Sequence, residues 1–212
     1  GRLRKFIPTM LGPSDVRKNI SRLMPQTERC HKSLQLLSDY RLPVGISTPD
    51  ALAFLNAVLS VDLAALPLAV SSAYRNLTVD QAQGCRELIV EFLRYFHEQA
   101  RSGNHFDFTD CAIGNILFAG CFLRNGRDFQ RTIDAFAVLY EVPEKILLNI
   151  TRGENLFLIA EKEDGTMLLG EGDIVAAQTS AKISDLYLVD EHEYRARIEN
   201  APEPADGWLN LV

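Results

Sequence analysis

The residues of this chain with the clearest chemical capacity stand in three short segments. Asp110-Cys111-Ala112-Ile113-Gly114-Asn115 opens straight into the apolar run Ile116-Leu117-Phe118-Ala119-Gly120, while Gly1-Arg2-Leu3-Arg4-Lys5 and Pro13-Ser14-Asp15-Val16-Arg17-Lys18 gather cations at the start. A glycine-asparagine pair at the head of a helix suits a phosphate. The first backbone N–H groups of a helix have no partner within it, the helix dipole is positive there, and glycine lets a ligand come close to the backbone. The same pair also suits an ordinary buried helix, because Asn is a favoured cap. An anion site and a plain cap are both open readings of Gly114 and Asn115.

Charge distribution bears on that choice. Through Arg41 the chain has nine Lys and Arg against three Asp and Glu, a balance of +6, so the rest carries −12 to reach the net −6. Such a field can steer an anionic ligand toward one end of an otherwise acidic protein. The cations are not interleaved with stacking aromatics, and no zinc-finger or helix-turn-helix spacing occurs, so nucleic acid is not the expected partner.

Elements must place these residues. Apolar positions Val16, Ile20, Leu23 and Met24 predict a helix after Ser14 as N-cap, stopped by Pro25, with Asp15 and Arg17 near its start. Capping there, or a solvated face, would equally account for Asp15 and Arg17. Thr78 to about Arg101 has helical spacing with Gly103 beyond its end, and Pro49 marks another helix start. The run Val61 to Val70 fits either a strand or a buried helix. A helix from the Gly-Asn motif ends at Asn125-Gly126, and a second carries Phe129, Ile133, Phe136, Ala137 and Tyr140 on one face. Ile146-Leu147-Leu148 reads as a strand. Leu156 to Glu161 pairs with Thr166 to Leu169 across the Asp164-Gly165 turn, and Ile183 to Val189 forms a last strand. The tail with Pro202 and Pro204 reads as a loop. The alternation suggests a layered α/β fold, with residues 41–104 as a helical insertion in a single domain 1–212.

With 212 residues, 47% of them apolar and 24% charged, the chain can bury a core of its own. The apolar stretches are shorter than the roughly 20 residues that span a bilayer, and no leader sequence is recognised, so a cytoplasmic protein is expected. Cys30, Cys85, Cys111 and Cys121 form no CxxC pair and read as reduced core thiols. His97-Glu98 has Arg101 where a second zinc-binding histidine would be needed.

Taken in order, these pieces resemble the CofD-like family, which joins 2-phospho-L-lactate transferases to gluconeogenesis factors. The resemblance is carried by Gly1-Arg2-Leu3-Arg4, Pro13-Ser14-Asp15-Val16-Arg17, Ile113-Gly114-Asn115, Asn125-Gly126-Arg127-Asp128, Val142-Pro143, and Ala160-Glu161 through Asp164-Gly165-Thr166 to Gly170-Glu171. It covers about the first 40 residues and the stretch from Phe106 to about Asp173, and skips the helical middle. It implies a Rossmann-like three-layer parallel sheet with ligands at the carboxyl ends of the strands. Family members carry a strand and a Gly-rich turn ahead of the Gly-Arg-Leu-Arg element and a late small-residue turn, so the resemblance also implies that this chain is a fragment.

Within the motifs Ser14 replaces a glycine, Lys18 an asparagine, and Cys111-Ala112 a His-Ser pair; Asp15, Arg17, Gly114 and Asn115 keep the pattern. The resemblance implies that Arg2, Arg4 and Arg17 neutralise a phosphate or diphosphate, that Gly114 and Asn115 bind it at the helix start, and that Asp15 orients a hydroxyl or a magnesium-bound water. In the transferase branch a phospholactyl group passes from a guanosine diphosphate-linked donor to a deazaflavin, with magnesium as cofactor. In the other branch a non-catalytic regulator binds a uridine diphosphate sugar. The helical middle would serve as a lid or as the interface of a homo-oligomer.

Overall fold

Ile113 to Arg124 is apolar around its whole circumference, and a helix of that composition must be enclosed by others. The computed structural model describes residues 2–25, 28–143, 145–149, 156–176 and 181–199. In it this segment is helix α7 (Ile113–Arg124), with Ile113, Ile116, Leu117, Phe118, Ala119 and Phe122 all fully buried. The chain divides into two compact units, Gly1–Gly153 and Glu154–Val212, and α7 is the axis of the first.

The other helices of that unit are α1 (Arg2–Phe6), α2 (Pro13–Leu23), α3 (Arg29–Asp39), α4 (Thr48–Ser60), α5 (Leu68–Arg75), α6 (Val79–Arg101) and α8 (Phe129–Leu139). Helices α2, α3, α6 and α8 pack directly on α7. The approach of α6 is closest at Gly120, where a Cβ would overlap the Leu88 carbonyl group. Local signals set the ends of several elements. Thr78 and Gln81 form a reciprocal capping box at the start of α6, Ser47 caps α4, and Asp128 caps α8. Beside α6, Phe6, Phe92, Phe96, Phe106 and Phe108 form a continuous aromatic cluster.

Several expectations shift. Helix α2 begins two residues earlier than predicted, with Gly12 rather than Ser14 at the N-cap and Pro13 in the first turn, a position that suits proline because no N–H is needed there. The run Val61 to Val70 is neither one strand nor one helix: Val61 ends α4 in the left-handed region at φ 57°, and α5 starts only at Leu68. Ile146-Leu147-Leu148 is a turn and loop rather than a strand. Residues 41–104 contain α4, α5 and α6 and build the same core as α7. The two ends of this excursion lie side by side. Leu42 N–H donates to the Cys111 carbonyl at 2.9 Å, and Ile113 N–H donates to the Tyr40 carbonyl at 2.9 Å.

The second unit contains β1 (Phe157–Lys162), β2 (Met167–Leu168), α9 (Glu171–Val175), β3 (Ile183–Val189) and α10 (Glu191–Glu199). The Asp164-Gly165 hairpin is present, with Ala160 opposite Leu168, Gly165 at φ 80°, and the Asp164 carboxylate accepting from Thr166 N–H. Strand β3 pairs antiparallel with the other edge of β1, giving the order β2-β1-β3. The tail from residue 200 lies outside the described residues.

The chain is therefore mixed α/β and mainly helical. The parallel three-layer Rossmann-like sheet is corrected: among the described residues every strand pairing is antiparallel, within one three-stranded sheet. The physical reason is that the longest apolar run, which a parallel core strand would need, is α7. We expect Gly120→Ala to lower the unfolding free energy by about 3 kcal/mol, because backbone must move. In contrast, Gly84→Ala stays within about 1 kcal/mol, since its new methyl meets only the movable end of Leu139 while helix propensity improves. Urea denaturation of both variants checks the difference.

Candidate functional site

The start of α7 is polar and its remainder is not, so the structure must seal a polar end inside an apolar core. Arg17 does this. Its side chain is 3% exposed, with Nε donating to the Asn115 Oδ1 at 3.1 Å and Nη1 donating to the Asp39 Oδ1 at 2.6 Å. Asp39, at the last position of α3, keeps half of its side chain in water. A guanidinium enclosed without such partners would be costly, and charge-assisted bonds on two sides offset that cost.

Gly114 makes the arrangement sterically feasible. A Cβ there would lie 2.5 Å from Arg17 Cδ and 2.9 Å from both the Ser38 Cβ and the Ser38 carbonyl oxygen. The glycine thus lets the Arg17 stem and α3 cover the first turn of α7. Behind it, the hydroxyls of Ser38 and Tyr140 hydrogen-bond to each other in a fully buried position, and burial pushes the Tyr140 phenol well above its usual range.

Asn115 does not cap its own helix. The N-cap is Ala112, with no side-chain bond to the first turn. Ile113 N–H is taken by Tyr40, and Asn115 N–H donates to the Ala112 carbonyl at 3.0 Å. The side-chain oxygen of Asn115 faces Arg17, 98 positions away in the chain, and accepts from it directly.

The structure thus brings together Arg17, Gly114 and Asn115. Arg2 is directed elsewhere: its Nε lies 3.0 Å from Asp107, and Nη1 donates to the Thr109 carbonyl. Arg41 grips the same loop, reaching both Asp110 carboxylate oxygens at 2.5 and 2.8 Å. The hydrogen bond from Arg41 holds the Asp110 carboxyl below its usual range, and bonds from Thr109 do the same for Asp107. Both pairs are exposed, so each contributes little stability alone. Arg4 is half-buried next to Gly12, just ahead of α2, and Asp15 is exposed in the first turn of α2. No ion pair among the described residues involves either.

Of the six sequence-chosen residues, Asp15 alone carries a carboxylate that could face a magnesium ion. Asp15 supplies one exposed carboxylate, and among the described residues no group of three or more His, Cys, Asp or Glu is placed to hold a metal. Sequence reasoning missed Asp39 because the helix that ends with it was not assigned. The spacing of Leu34, Leu37 and Ser38 was the available signal. Two surface concavities of about 580 and 600 Å³ lie elsewhere, one around Arg86 and Arg124, the other between α3 and α5. None of the six sequence-chosen residues lines either. No helix among the described residues is long and apolar enough to cross a membrane. Compared with family models, curated proteins and solved structures, the chain matches none.

Two outcomes test this geometry. Gly114→Ala should cost about 2 kcal/mol of stability, read from the urea midpoint, because the Arg17 stem is displaced from its partners. The second concerns pH. Burial pushes the Cys85 and Cys121 thiols up to about 12 and Cys111 up to about 11, against an ordinary value of 9.0. Above pH 9 the unfolded chain therefore loses thiol protons before the native one does, so it binds fewer protons and stability falls as pH rises toward 11. A urea midpoint that decreases between pH 8 and pH 10.5, together with slow alkylation of native thiols at pH 8, is the expected result.

Proposed function

We propose that this chain binds a phosphorylated nucleotide-type ligand at the surface where α2 meets the start of α7, in the manner of the CofD-like proteins it resembles. The observation that carries the reading is the bond between Arg17 and Asn115. Two residues that the resemblance assigns to one phosphate site occupy one built polar junction, with Gly114 required beside them. Arg17 is held on both sides and scarcely exposed, so it fixes the shape of the junction. Arg4 and the outward first turn of α2, with Asp15, supply the groups that meet the ligand.

In the fuller form of this proposal the protein is a cytoplasmic 2-phospho-L-lactate transferase that uses a guanosine diphosphate-linked donor, a deazaflavin acceptor and magnesium brought with the phosphates. Asp15 then orients the attacking hydroxyl, and rate enhancement comes mainly from positioning and charge stabilisation. One observation favours the non-catalytic alternative, a regulator that binds a uridine diphosphate sugar. The buried arginine is already paired with Asp39 and Asn115, an arrangement suited to recognition rather than to following a moving phosphoryl group.

The test is a thermal-shift and calorimetric titration against guanine nucleotides, uridine diphosphate sugars and a deazaflavin, each with and without magnesium. A shift with guanine nucleotide and deazaflavin supports the transferase, and a shift with uridine diphosphate sugars alone supports the regulator. Arg4→Ala should weaken the affinity about tenfold, as expected for one charge-assisted contact of about 1.5 kcal/mol. Absence of any shift, or an Arg4→Ala variant with unchanged affinity, overturns the assignment.

A further inference from the structure

We propose that the groove between α3 and α5 is a binding site for an amphiphilic anion, a free molecule with one phosphate, sulfate or carboxylate group on an apolar chain or ring. This site borders the junction of α2 and α7 through Asp39, which pairs with Arg17, but its argument does not depend on that reading. The groove encloses about 600 Å³, within the range of small-molecule sites. Its floor is apolar, formed by Leu36, Ala69, Val70 and Ala73. Leu36 is 65% exposed, although it lies between the buried Leu34 and Leu37.

Charge along the groove is polarised. Arg29 and Lys32 line one end, and no ion pair among the described residues involves either of them. Helix α3 begins at Arg29 with Glu28 as N-cap, so the helix dipole is offset by that carboxylate and the two cations carry the positive charge of this end. Glu28, just ahead of them, accepts a hydrogen bond from the Cys30 thiol and does not line the groove. Ten residues further along α3, about 15 Å by helix geometry, Asp39 lines the same groove with its carboxylate already held by Arg17, so among the described residues that end offers no unpaired cation.

An occupant with an anionic head is therefore drawn to Arg29 and Lys32, which lays its apolar body over Leu36 and Ala73. Tyr40 bounds the groove beside Asp39. Its ring is stacked on Phe54 with centroids 5.6 Å apart and planes 2° from parallel, giving a fixed aromatic wall.

Calorimetric titration with decyl phosphate, kept below its micelle-forming concentration, tests the site. Inorganic phosphate, decanol and phosphatidylglycerol vesicles serve as comparators. The expected result is saturable one-to-one binding at least about tenfold tighter than that of inorganic phosphate or decanol. The double variant Arg29→Glu, Lys32→Glu and the single variant Leu36→Asp should each weaken it by about tenfold or more. All three positions are exposed, so circular dichroism should show an intact fold, and Arg86→Glu in the other concavity should bind as the parent does. The proposal is overturned by absence of saturation, by inorganic phosphate binding equally well, by insensitivity to either groove variant, or by binding to vesicles alone.

Discussion

A helix with no polar face cannot lie on a surface, and one whose first turn is polar cannot simply be enclosed. The first unit is organised by these two demands meeting in α7. Its length is surrounded by α2, α3, α6 and α8, and its start is closed by a guanidinium bonded to Asn115 and Asp39. Glycine solves the same steric problem at both places. Gly120 admits the backbone of α6, and Gly114 admits the stem of Arg17 together with α3. Native packing density leaves little room for an added methyl at such points, so the chemistry at the helix start and the packing along its length share one constraint.

That constraint alters how the basic beginning of the chain acts. Counting charges along the sequence gives +6 for the first 41 residues, but the fold brings Asp107 and Asp110 onto Arg2 and Arg41, lowering the local balance to +4. Asp39, already counted in that +6, is the acid that pairs with Arg17. Steering of an anion depends on the field that remains after such pairing. That field rests on residues such as Arg4, Lys5 and Lys18 rather than on the arginine most deeply built into the junction.

What was legible in the sequence was local. Helix α6 could be read from Thr78, its periodic apolar residues and Gly103, because a capping box and a helix stop act within a few residues. The hairpin followed from Asp164-Gly165, and β3 has the bounds Ile183 to Val189 that its composition suggested. The parallel sheet came from resemblance rather than from any run of residues, and Ile146 to Leu148 was too short to pair without a neighbouring strand. At the candidate site, residue types pointed to Arg17, Gly114 and Asn115, yet their mutual bonding and the share of Asp39 were hidden. Those contacts join α2, α3 and α7, and no periodicity within one helix encodes a partner on another.

The pair of backbone bonds joining Tyr40 and Leu42 to Cys111 and Ile113 closes the chain between them into a loop whose two ends are fixed side by side. The segment between them is not detachable. Its last helix supplies the Leu88 backbone against Gly120 and the aromatic rings beside Phe6, so excising it would strip α7 of its closest neighbour. The bridge marks where the segment leaves and rejoins, while α6 makes what lies between an inseparable part of the core.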